Sequence, residues 1–299
     1  MRVSSEYNKI AVPYLYEYIT IGPGDKSPFA ATTENMIRRP IQRKSVEKMN
    51  NLAKVKGIAI LLPYVDDGDW NLPSQGLQVD WLRISERICQ EHVDDVCHPI
   101  TTGKALKQLR PDKLVVRTSY SQPSLNYGWS PSKVVLVHLP VTDSNFCPAF
   151  PSLAMDELPQ EILYIFWSKN PTEPSLICDE SIVEELINDL WNQWRDRTAP
   201  LKVTFVNAGG IDPKLFDRQP RVSDTYEERE TAFRAVFNDS FGLSGPSRGR
   251  WIPPHGALVI PACTWLSMRE YLTTHDWTGE FTAEEVEPWL RDEETVVSE

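Results

Sequence analysis

Short apolar runs alternate along the chain with longer amphipathic or polar stretches. The clearest run is Gly57 to Leu62 (GIAILL), ended by Pro63. A run that short, rich in branched residues and closed by proline, predicts a buried strand. Similar runs predict strands at 113–119 (KLVVRTS), 133–139 (KVVLVHL), 162–167 (ILYIFW), 201–206 (LKVTFV) and 257–261 (ALVIP). Tyr14 to Ile19 adds a strand ahead of the turn signal Gly22-Pro23-Gly24-Asp25.

Helical periodicity marks other stretches. Leu77, Trp81, Ile84, Ile88, Val93 and Val96 form a stripe that predicts a helix over 77–96. Val183, Leu186, Ile187, Leu190, Trp191 and Trp194 predict one over 181–195, with Asp179 or Ser181 as its cap. Phe233, Val236, Phe237 and Phe241 predict a helix over 225–241. A further helix is expected at 264–273. A last one, from Phe281 to Leu290, would be anchored by Phe281, Val286, Trp289 and Leu290.

Strands interleaved with helices imply an α/β or α+β fold: one mixed, partly antiparallel sheet with helices packed on it. The antiparallel part comes from 113–119 and 133–139, which have no helical pattern between them. The proline-bearing stretch 144–159 divides the chain into an N-terminal α/β portion, 1–143, and a C-terminal α/β portion, 160–299, with an acidic tail. The two portions are also compatible with one continuous domain.

Composition narrows the class. At 299 residues the chain can bury a sizeable core, and its hydrophobic share of 41% is ordinary for a globular protein. Ten tryptophans argue against disorder. The net charge is −11, and the stretch from Asp276 to Glu299 holds nine acids against the single base Arg291. That balance disfavours nucleic acid as a partner. The segment from Arg38 to Lys56, with Arg39, Arg43, Lys44, Lys48 and Lys54, is a candidate docking face for acidic residues, the chain's own tail among them. Five irregularly spaced cysteines and an N-terminus without a continuous apolar core point to a reducing, cytoplasmic setting. No apolar run approaches the ~18 residues of a membrane span. A protein partner or a homo-oligomer is the expected kind of association.

Candidate metal ligands are weak. Asp66, Asp67 and Asp69 follow the strand at 57–62 but lack the spacing of a calcium loop, and Asp-Asp-Gly-Asp is also ordinary turn composition. Cys89, His92, Cys97 and His98 are four soft ligands in a short span, yet the predicted helical stripe claims the first two. The sequence therefore predicts no metal site and names no cofactor.

Two stretches remain as candidate chemistry. The strand at 201–206 runs into Asn207-Ala208-Gly209-Gly210, where glycines allow a backbone or a ligand to come close. This piece resembles one element of short-chain dehydrogenases, whose Gly-rich turn and Tyr-x-x-x-Lys are missing from the chain. The stretch from Arg250 to Trp265 (RWIPPHGALVIPACTW) places His255 and Gly256 at the entrance of an apolar run, with Arg248 and Arg250 before it. Two function classes follow. One is an intracellular interaction or structural protein without catalysis. The other is an enzyme for a small polar or anionic substrate, with His255 as acid–base and Asn207, Gly209, Gly210, Arg248 and Arg250 in binding. The absence of an orienting partner for His255 favours the first.

Overall fold

The structure is a computed structural model, and it describes residues 17–22, 52–62, 76–86, 108–118, 129–139, 159–168, 186, 201–211, 225–240 and 262–291. Eight strands are defined: β1 (Tyr18–Ile21), β2 (Gly57–Leu62), β3 (Leu77–Glu86), β4 (Leu109–Thr118), β5 (Lys133–His138), β6 (Glu161–Phe166), β7 (Lys202–Val206) and β8 (Ala262–Leu266). Three α-helices have described bounds: α1 (Tyr226–Ser240), α2 (Met268–Thr274) and α3 (Ala283–Leu290). A 3-10 turn, Ala208–Gly210, follows β7.

The chain divides into two compact units. One comprises Met1–Val116, Asn126–Ser132 and Ala154–Leu158, and the other Arg117–Leu125, Lys133–Leu153 and Pro159–Glu299.

The first unit is built on parallel pairing of β1 with β2 and of β2 with β3. The register sets Tyr18, Gly57 and Trp81 side by side. Gly57 has no side chain, so the Trp81 ring crosses it and stacks on Tyr18 at 5.7 Å. A Cβ on Gly57 would lie 2.1 Å from that indole. Lys56 bridges the same three strands: its backbone N–H donates to Glu17 O, and its own carbonyl accepts from Asp80 and Trp81.

The second unit pairs β5, β6, β7 and β8 in that order, every pair parallel. One row of the register is Leu136, Tyr164 and Phe205, with Trp265 beyond. Phe205 stacks on Tyr164 at 5.5 Å and on Trp265 at 4.5 Å. Phe233 and Phe237 of α1 meet Phe205 edge-on at 5.7 and 4.9 Å. These rings explain why α1 lies on this face: the period of the helix and the alternation of the strands put Phe205, Trp265, Phe233 and Phe237 on one seam.

Helices α2 and α3 start where the backbone finds a cap. Ser267 and Glu270 form a reciprocal capping box at α2, and Thr282 and Glu285 form another at α3. Phe281, Val286 and Trp289 are buried as the periodicity predicts, whereas Leu290 is exposed.

Three expectations are corrected. All eight strands are parallel, so the fold is α/β and the sheet is not mixed. The antiparallel reading assumed a hairpin between β4 and β5. The intervening stretch from Ser119 to Ser132 is long enough for a parallel crossover, which takes about a dozen residues. Second, residues 77–86 form strand β3 and not the first half of a helix. Leu77, Val79 and Trp81 are buried while Gln78 and Asp80 are exposed, a period of two hidden inside the supposed helical stripe. Third, Thr264 to Leu266, expected to open a helix over 264–273, belong to strand β8, and α2 begins only at Met268. The predicted strand at 257–261 and, apart from the buried helical residue Leu186, the predicted helix at 181–195 lie outside the described residues.

Gly57→Ala should destabilise the protein by about 1–3 kcal/mol, because the indole of Trp81 must move off the sheet. Urea unfolding followed by circular dichroism checks this, and an unchanged midpoint would show that the tryptophan is free to move.

Candidate functional site

Open parallel sheets bind ligands beyond the C-terminal ends of their strands. In the second unit that end carries buried polar side chains: His138 at the close of β5, Ser168 just past β6 and Asn207 just past β7. Arg117, near the end of β4, is buried as well.

Asn207 joins three strands. Its backbone adopts a left-handed conformation with φ of 61°, which turns the chain out of β7 and into the 3-10 turn. Its side-chain Nδ2 donates to the Phe166 carbonyl of β6 at 2.7 Å, and its backbone N–H donates to the Leu266 carbonyl of β8 at 2.9 Å. The two glycines that follow are there for closeness. A Cβ on Gly209 would lie 2.5 Å from the Tyr226 carbonyl, and one on Gly210 would lie 2.6 Å from the Asn207 amide. Gly209 also accepts a 2.5 Å bond from Arg229 Nε, which fixes the first turn of α1. The close approach that the glycines allow is thus made by Tyr226 and Arg229 of α1.

Arg117 is held from the other end of the chain. Its two terminal nitrogens donate to the Glu285 carboxylate, Nη1 at 3.0 Å, and Nη1 also reaches the Glu280 carbonyl at 3.2 Å. Its guanidinium lies 5.6 Å from the centre of the Phe281 ring, which itself stacks on Trp167 at 4.6 Å. Glu280 has no exposed surface and accepts a 2.5 Å bond from the Tyr271 hydroxyl. Burial, and then the neighbouring Glu280, push the Tyr271 hydroxyl far above its usual range, so it stays a donor.

His138 does not join this cluster. It sits beside Phe166 in the register, on the face that carries Phe233. Trp167, one residue later, turns to the opposite face and meets Phe281. Burial pushes the His138 imidazole down to about 4, so the ring is neutral at physiological pH. The polar groups of the strand ends are therefore divided between two faces.

A second candidate is an open groove of about 600 Å³ along α1 and α2. It is lined by Tyr226, Glu230, Arg234, Trp265, Arg269 and Glu270, among others. Arg234 pairs with Glu230 one turn away and lies 4.9 Å above the Trp265 ring. The N–H and then the hydroxyl of Ser267 hold Glu270 below the usual carboxylate range. Burial, followed by Glu230, pushes the Tyr226 hydroxyl up. On β8, burial pushes the Cys263 thiol up to about 11, which suppresses the thiolate that a nucleophile needs. The groove is amphipathic and carries charged residues of both signs.

Of the residues expected from sequence, Asn207, Gly209 and Gly210 are described, and they come together as a packed turn. His255, Arg248 and Arg250 lie outside the described residues, as do Asp66, Asp67 and Asp69 and the set Cys89, His92, Cys97 and His98. Among the described residues no cluster of three or more potential metal ligands occurs. Nor is any described helix long and apolar enough to cross a membrane. Sequence reasoning did not single out Arg117 or His138. The signal was available: each is a polar residue near the end of an otherwise apolar strand, KLVVRTS and KVVLVHL. No family model matches the chain, and neither does any curated protein or solved structure.

The His138 environment sets a pH dependence. Its folded value of about 4 lies below the usual 6.5, so the unfolded chain binds the proton more readily. The stability this group contributes is complete above about 6.5 and is lost as pH falls toward 4. His138→Gln should flatten that part of the stability curve, as read by urea midpoints between pH 7 and pH 4. A mutant curve with the wild-type slope would assign the slope to other groups.

Proposed function

We propose that this is a non-catalytic interaction protein, and that the groove along α1 and α2 is a docking face for a polypeptide. The observation that carries this reading is how the strand-end polar groups are used. Asn207 is committed to Phe166 and Leu266, and Arg117 to Glu285 and Glu280, while His138 faces away from Arg117's neighbour Trp167. Acid–base catalysis requires a positioned group with a tuned pKa and an orienting partner around one reacting atom. The described strand ends favour structural use instead.

The groove has the opposite character. Trp265 and Arg234 offer a partly exposed aromatic–cation surface, and both residue types are enriched where proteins meet. Arg269, Glu270 and Thr273 on α2 are exposed along its rim. Mixed charge on such a rim sets orientation and partner choice more than affinity.

A photo-cross-linking residue at Arg269 should capture a discrete polypeptide in an extract of the source cells, and the same residue at Gln78 should not. Adding Thr273→Trp, which fills the groove, should lower the cross-linked yield about tenfold. The reading fails if the two positions capture the same spectrum of proteins. It fails equally if metabolite-sized ligands raise the melting temperature and Thr273→Trp abolishes that shift.

A further inference from the structure

Arg117 is buried, and the groups that satisfy it lie more than 160 residues away in the chain. Arg117 stands near the end of β4, and its guanidinium donates to one distant stretch of chain, the segment Glu280 to Glu285. The arrangement has the form of a bound ligand. Phe281 supplies a ring that stacks between Trp167 and the guanidinium, and Glu285 supplies a carboxylate gripped by both terminal nitrogens. Two-pronged contact of this kind is the mode by which arginine recognises planar carboxylates.

The segment that carries these groups is weakly built. Helix α3 has eight residues with Pro288 inside it, a length that is marginal for a helix in water. Its capping carboxylate and its docking carboxylate are one group, since Glu285 Oε2 accepts from both Thr282 N and Arg117 Nη1. Losing the contact to Arg117 therefore also weakens the cap. Glu287, Leu290 and Arg291 are exposed, so the anchors on the outer turns are Val286 and Trp289. The Trp289 Nε1 is buried without a hydrogen-bond partner among the described residues, which reduces what its burial contributes.

We infer that the segment from Glu280 to Leu290 is an internal strap occupying a carboxylate-binding site formed by Arg117 and Trp167, and that a partner helix of the same chemistry can replace it. That partner carries an aromatic residue followed four positions later by a glutamate or aspartate, the spacing of Phe281 and Glu285. Its apolar face would take the place of Val286 and Trp289, as amphipathic helices do when they enter grooves. The site does not depend on the groove along α1 and α2 and stands if that reading falls.

The test uses the full chain and a fluorescein-labelled peptide, EFTAEEVEPWLR, which copies residues 280–291. The wild-type chain should bind it poorly, because its own strap competes at high effective concentration. The variant Phe281→Ala/Glu285→Ala should bind at least about tenfold more tightly, and adding Arg117→Gln should remove the gain. Equal binding by wild type and variant overturns the inference, as does binding indifferent to Arg117. Should the variants fail to fold, hydrogen exchange of the native chain decides. The amides of α3 should exchange through a local opening that leaves those of β6 protected. Exchange of both only by global unfolding would make the segment part of the core and not a strap.

Discussion

The second unit depends on a single amide. Asn207 leaves β7 in a left-handed turn, reaches across to the Phe166 carbonyl of β6 and ties its own N–H to Leu266 of β8. Three parallel strands end at one residue. Parallel strands end with unpaired carbonyls that must be met by a loop, a helix or a ligand. Here a side chain and the loop meet them, and the consequence runs outward. The turn brings Gly209 against Tyr226 and Arg229, which starts α1, and α1 brings Phe233 and Phe237 down on Phe205 and Trp265.

The same constraint bears on function. Among the described residues, Asn207 and Arg117 spend their donors within the chain, at the end of the sheet where α/β proteins usually bind ligands. What the surface then offers is a groove of mixed charge between two helices. On the opposite face of the sheet, Phe281 lies between Trp167 and Arg117, and the Glu285 carboxylate of α3 accepts from Arg117.

Much of the fold was legible because its signals were strong. Continuous apolar runs marked β2, β5, β6 and β7 within a residue or so, since strands buried on both faces have no alternation to obscure them. The aromatic stripe of α1 marked its buried side. β3 misled because Leu77, Trp81 and Ile84 fall at helical spacing; in the strand Leu77 and Trp81 share one face and Ile84 lies on the other, and the pairing with β2 decides. Direction of pairing was illegible in principle, because a loop's length permits a crossover without announcing one. The start of α2 was legible but unread: Ser267-Met268-Arg269-Glu270 is a capping box and sets the helix after β8. As for the site, the sequence drew attention to Asn207 through the glycines that follow it. Those glycines suggested close approach by a backbone or a ligand, and Tyr226 and the Asn207 amide are what lie against them.

The claim that Asn207 is a structural clamp is tested most directly by Asn207→Asp, which keeps the size of the side chain and its tolerance of the left-handed turn but removes the donor to Phe166. The account predicts a loss of about 1–3 kcal/mol in unfolding free energy at neutral pH, because a buried carbonyl loses its partner and gains a carboxylate neighbour. Stability within about 0.5 kcal/mol of wild type would contradict it.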